Sequence, residues 1–158
     1  MTSQRIEKKA AQCSEMLREK NARLAVAESC TGGLLAYSFI SLPGASDFFE
    51  CGLVTYSNSS KIKILGVDES LIQSYGAVSY QVAVAMAQGI MIKSKANFGI
   101  SITGIAGDNK NPDIQSNIYI DEGISYHPEF EIESTIYEMK NLDYPSTNHS
   151  EKINTTQV

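Results

Sequence analysis

Apolar residues recur along this chain in two rhythms, and the changes of rhythm mark its elements. From about Thr2 to Lys20, Ile6, Ala10, Cys13 and Leu17 return at three- and four-residue steps with Glu, Lys and Arg between them, the spacing of a one-sided helix. Leu24–Ala27 is a short run of small apolar residues that reads as a buried strand. A helix starts near Thr31 and stops before the breaker pair Pro43-Gly44. Cys51–Tyr56 is rich in β-formers and reads as a second strand. Ser57-Asn58-Ser59 offers caps for a short helix through Lys61–Leu65, ended by Gly66. Asp68–Tyr75 is a further short helix closed by Gly76. Ser79 caps a longer helix to about Lys95, with Val82, Val84, Ala85, Met86 and Ile90 as its buried side. Phe98–Thr103 is a third strand, followed by the loop Gly104-Ile105-Ala106-Gly107. Ile114–Ile120 is the expected fourth strand, with Gly123–Tyr126 or Phe130–Ile132 as further edge strands.

Helices alternating with apolar strands predict an α/β domain, and ligands of such sheets sit at the carboxyl ends of the strands. Three polar, glycine-bearing loops fall at those ends, after Ala27, Tyr56 and Thr103. The apolar pattern fades towards the C-terminus. Residues 1–138 are read as one domain and 139–158 as a polar, flexible tail.

Composition narrows the function classes. The 158 residues are 42% hydrophobic and 20% charged, which suits a packed core. A net charge of −5 argues against nucleic-acid binding through a general basic surface. Cys13, Cys30 and Cys51 are odd in number and scattered, describing neither a disulfide framework nor a metal motif, so a reduced, cytoplasmic setting is expected. The polar amino-terminal stretch shows no secretory signal, and no apolar run is long enough to span a bilayer. No His, Asp or Glu cluster has metal-ligand spacing, and no metal or cofactor is called for.

The first candidate for chemistry is Glu28-Ser29-Cys30-Thr31-Gly32-Gly33. A strand turning sharply into a helix leaves unpaired N–H groups that favour negative charge, and a serine held there is an attacking group with donors close by. Ser29 or Thr31 reads equally well as a helix cap. The second is Tyr56 with Lys61. A lysine in the first turn of a helix meets an unfavourable dipole, and burial adds desolvation, both lowering its pKa towards the range of a base. A tyrosine beside it can relay a proton. Ser, Lys and Tyr together make a hydrolase set that needs no histidine. A solvated lysine and a strand aromatic are the plainer reading. The third is Thr103 with Gly104-Ile105-Ala106-Gly107, where glycines expose main-chain amides suited to a carbonyl or phosphate, or simply form a tight turn. Cys30 lacks a histidine nearby in sequence and reads as a small buried residue.

Taken in order, Ala27–Gly33, Pro43-Gly44-Ala45-Ser46, Gly52–Asn58, Lys61, Leu65-Gly66-Val67, Gly76-Ala77-Val78-Ser79 and Ile102–Gly107 closely resemble the CinA C-terminal-domain family, which includes stand-alone nicotinamide-nucleotide amidases. The resemblance covers about Ile6 to Gly107. It implies a three-layer α/β/α sandwich with a mixed, mostly parallel sheet, assembled as a homo-oligomer. It implies hydrolysis of the carboxamide of nicotinamide mononucleotide, giving nicotinic acid mononucleotide and ammonia, with no nucleic-acid or membrane partner. Ser29 falls on the family's nucleophile, with Lys61 and Tyr56 on its assistants. Glu28, Cys30, Thr31, Gly32, Gly33, Asn58, Ser79 and Thr103, Gly104, Ile105, Ala106 and Gly107 fall on the substrate site. On this reading Lys61 takes the Ser29 proton, amides around Cys30–Gly33 hold the oxyanion, and Tyr56 helps pass a proton to the departing ammonia.

After Gly107 the chain reads Asp108-Asn109-Lys110-Asn111-Pro112-Asp113 where the family continues with proline and glycines. That departure defines a competing reading, a catalytically weak or silent relative that binds a nucleotide or a protein partner.

Overall fold

The computed structural model describes residues 2–104 and 120–126, with side chains over 6–104. Helix α1, Thr2–Glu19, buries Ala10 and Leu17 as the periodicity requires, with Ile6 and Cys13 half-buried. Strand β1, Leu24–Glu28, is buried along its whole length. Its side chains alternate between two cores. Leu24 and Val26 pack with Ala10, Leu17, Phe39, Phe48 and Phe49 on one face. Ala25 and Ala27 pack with Leu65, Val67, Ile72, Val82, Met86 and Ile90 on the other. A strand covered on both faces carries no polar alternation, which is why Leu24–Ala27 is uniformly apolar.

Helix α2, Leu34–Ile40, begins three residues later than its pattern suggested. Gly32 and Gly33 adopt φ of 62° and 104°, a left-handed stretch that delays helical pairing. A 3-10 turn, Ala45–Asp47, leads into strand β2, Phe49–Val54. The expected strand Cys51–Tyr56 is thus displaced by two residues. Thr55 and Tyr56 leave the ladder because their carbonyls turn towards Lys61. Helix α3, Asn58–Leu65, is capped by Ser57 and closed by Gly66, and helix α4, Glu69–Tyr75, by Asp68 and Gly76. Ser79 caps helix α5, Tyr80–Ser94, its side chain accepting from the Val82 N–H.

The buried face of α5 differs from expectation. Val82, Ala83, Met86, Ala87 and Ile90 are buried, while Val84 and Ala85 are half-buried. Strand β3, Phe98–Gly104, decides this. The Ser101 hydroxyl donates to the Ala83 carbonyl at 2.6 Å, and a Cβ on Gly99 would stand 2.3 Å from the Ala87 carbonyl oxygen. Small residues on strand and helix let the two backbones approach closely.

The sheet order is β2-β1-β3-β4, with β4 at Ile120–Tyr126. β1 runs parallel to both neighbours and β4 antiparallel to β3. Strand β4 takes in the expected edge strand Gly123–Tyr126 and begins at the last residue of the expected strand Ile114–Ile120. Residues 114–119, 130–132 and the tail 139–158 lie outside the described residues. Helices α1 and α2 cover one face and α3, α4 and α5 the other, giving a three-layer α/β/α sandwich with a mostly parallel sheet.

Candidate active site

Parallel strands put their carboxyl ends on one edge, so residues distant in sequence meet there. The ends of β1 and β2 are joined by the Thr55 N–H, which donates to the Glu28 carbonyl at 2.7 Å. Ser29 follows directly. From the other side comes α3. Its cap fixes the first turn, with the Ser60 N–H donating to Ser57 Oγ at 3.0 Å, and the turn aims Lys61 inward. Lys61 is only 1% exposed, although it carries the longest flexible side chain near this edge. Its Nζ stands 2.7 Å from the Thr55 carbonyl oxygen, 3.0 Å from that of Tyr56 and 3.1 Å from Ser29 Oγ. Ser29 is itself 5% exposed.

This geometry has two protonation states with different chemistry. An ammonium donates to all three oxygens. A neutral amine keeps two N–H bonds for the carbonyls and turns its lone pair on Ser29, whose hydroxyl then donates to nitrogen. Burial disfavours the charged form and holds the Lys61 pKa below the ordinary 10.5, an effect partly offset by the neighbouring Cys30 sulfur. A buried amine biased towards its neutral form beside a buried hydroxyl is the arrangement of a base and its nucleophile.

The turn after β1 is occupied from within. Glu28 is 1% exposed, and its carboxylate accepts from the N–H groups of Gly33, Leu35 and Ala36 at 3.2, 3.0 and 2.8 Å. The negative charge that a helix start favours is therefore supplied by the chain itself. This narrows the amides expected around an oxyanion. The Gly33 N–H is committed to Glu28 and the Gly32 N–H to the Ser29 carbonyl at 3.1 Å. Those of Cys30 and Thr31 lie against the Cys30 sulfur. Partial burial nonetheless raises the Cys30 pKa, and the residue is half-buried rather than buried as expected.

The other sequence candidates are spread unevenly. Tyr56 joins the cluster through its carbonyl, while its side chain is 70% exposed. Asn58 is exposed at the first position of α3. Ser79 Oγ donates to the Gly76 carbonyl at 3.0 Å, and Thr103 Oγ1 donates to that of Ala77 at 2.9 Å, so both hydroxyls are tied to the loop before α5. Gly104 ends β3, and Ile105, Ala106 and Gly107 lie outside the described residues. Thr31 Oγ1 is buried and has no hydrogen-bond partner among the described residues. Sequence reasoning missed Thr55, which is fully buried and holds Lys61 by its carbonyl. A main-chain acceptor has no residue-type signature, so nothing in the sequence marks it.

The family model of the CinA C-terminal domain matches residues 6–120, about the whole described domain. The chain belongs to the CinA C-terminal domain family. The match carries past Gly107, beyond the stretch where the sequence resemblance is clear. A competence-damage inducible protein of Moorella thermoacetica is 40% identical over 134 residues, which are 84% of this chain and 32% of the relative. One of Clostridioides difficile is 55% identical over 94 residues, 60% of this chain and 22% of the relative. The chain thus spans about a fifth to a third of the curated relatives it matches. Among solved structures, the competence/damage inducible protein CihA from Agrobacterium tumefaciens is 30% identical with a TM-score of 0.66, covering 87% of this chain and 89% of that one. A CinA superfamily protein from Escherichia coli is 31% identical with a TM-score of 0.65, covering 77% of each chain. These CinA structures share the α/β layering described above. Among the described residues, no helix is long and apolar enough to cross a membrane, and Cys13, Cys30 and Cys51 are free.

Proposed function

We propose that this CinA-family chain is an amidohydrolase that converts nicotinamide mononucleotide and water to nicotinic acid mononucleotide and ammonia through a serine–lysine pair. The observation that carries the chemistry is the buried 3.1 Å contact between Lys61 Nζ and Ser29 Oγ. The choice of substrate follows the resemblance to nicotinamide-nucleotide amidases.

Neutral Lys61 takes the Ser29 proton as Oγ attacks the carboxamide carbon. The C=O double bond opens to an oxyanion, assigned here to the N–H groups of Cys30 and Thr31, the turn amides not committed to an oxygen acceptor. Lys61 hands its proton to the departing nitrogen, the C–N bond breaks, and ammonia leaves an acyl-serine. Water then attacks the ester while Lys61 accepts its proton and returns it to Ser29 Oγ. Tyr56 contributes its carbonyl, which with that of Thr55 keeps the amine directed at Ser29. With the Tyr56 ring exposed, protonation of the leaving group falls to Lys61.

The test is incubation with nicotinamide mononucleotide, following ammonia and the acid product together. Equal amounts of both, lost in Ser29→Ala, are expected. Saturable nucleotide binding with no ammonia would favour the silent relative.

A further inference from the structure

Among the described residues, Lys61 and Glu28 are the buried side chains that carry charge in water, and the reaction above uses only the first. Removing a carboxylate from water is expensive unless every lone pair is answered. A helix start can be capped by Ser, Thr or Asn with far less desolvation. Glu28 does something that those caps do not. It reaches forward from the last position of β1 to the N–H groups of Gly33, Leu35 and Ala36 and so binds a strand end to a helix start across the turn. The residues enclosed include Ser29. They also include Gly32 and Gly33, whose positive φ angles give the turn little stiffness of its own. Meanwhile Ser29 Oγ has to meet Lys61 Nζ, which is fixed independently by two carbonyls on the β2 side.

We propose that Glu28 is a positioning residue for Ser29, its carboxylate clamping the flexible turn so that the hydroxyl is held within reach of the Lys61 amine. The inference rests on the reading of Ser29 as the nucleophile. The clamp acts on geometry, because the Glu28 carboxylate bonds to the start of α2 while Lys61 is held by the Thr55 and Tyr56 carbonyls.

The experiment compares wild type, Glu28→Gln and Glu28→Asp in the rate at which Ser29 is labelled by a fluorophosphonate, a reagent that needs no nucleotide. Folded fraction is measured by circular dichroism on the same samples. Gln keeps the length but puts an NH2 against an amide N–H, and Asp keeps the charge but loses reach. Both should label more slowly per folded molecule, by on the order of tenfold to a hundredfold, the effect of displacing a reacting atom by about an ångström. The midpoint of the pH dependence of labelling should stay where wild type has it. With nicotinamide mononucleotide, kcat should fall alike while KM changes by less than about threefold.

Labelling that falls only in proportion to the folded fraction, or two variants that fail to fold, would assign Glu28 to stability alone and overturn the proposal. A labelled wild type with equally reactive variants sinks this inference and leaves the amidase reading standing. A wild-type Ser29 that takes no label sinks both.

Discussion

Lys61 shows how far a single side chain is from its sequence description. A lysine in a polar run between strand and helix is ordinarily solvated, yet this one is buried with its three hydrogen-bonding directions all met by oxygen. Its chemistry follows from that burial, which shifts the amine towards its neutral form. Since the neutral form is the base, kcat/KM should rise with pH to a plateau, with a midpoint below 10.5. A profile that keeps rising through the ordinary lysine range would contradict this. Ser29→Ala should reduce ammonia release by roughly three orders of magnitude or more, with stability lowered by about 1 kcal/mol for the lost hydrogen bond. Ser29 and Lys61 were legible as candidates from residue type and position. Residue type points to the Tyr56 phenol, while the contact to Lys61 is made by its carbonyl.

At the scale of elements, the sequence marks ends better than contacts. Ser57 and Ser79 cap two helices where their types and spacing indicate, because a cap is a local interaction between a side chain and the next turn. The face of α5 is a long-range matter and escaped the periodicity. Gly99 and Ser101 on β3 admit Ala83 and Ala87, which apolar spacing alone ranks no higher than Val84 or Ala85. Gly99→Ala should therefore be costly despite adding one methyl. Its Cβ would meet the Ala87 carbonyl oxygen at 2.3 Å, a main-chain atom that cannot swing aside. A loss of about 3 kcal/mol is expected in urea unfolding, and an unchanged midpoint would show that helix and strand separate freely.

For the whole molecule, burying Lys61 links the proposed reaction to folding. The unfolded chain holds the Lys61 proton up to 10.5, while the folded chain releases it at lower pH. Between the folded value and 10.5 the unfolded state binds the extra proton, so stability rises with pH across that window and is lost as pH falls through the folded value. Lys61→Met should remove this contribution, visible as a difference in urea midpoint between the two proteins that changes with pH across the window. A constant difference across the window would mean that the amine titrates alike folded and unfolded. The same burial explains why the site lies at the carboxyl edge of parallel strands. There the end of β2 supplies two carbonyls that have left the ladder, and those carbonyls satisfy an amine that the core could not otherwise accept.

The alternation of helices and strands, most helix ends and the candidacy of Ser29 and Lys61 were readable from the chain alone. Those follow from apolar rhythm, capping chemistry and residue type, all of which act over a few neighbouring positions. It took the folded chain to bring the ends of β1 and β2 side by side, to turn Glu28 inward against the start of α2, and to present the Thr55 and Tyr56 carbonyls to Lys61. These are contacts between main-chain groups and distant side chains. Main-chain groups are the same in every residue, so no pattern of residue types announces them.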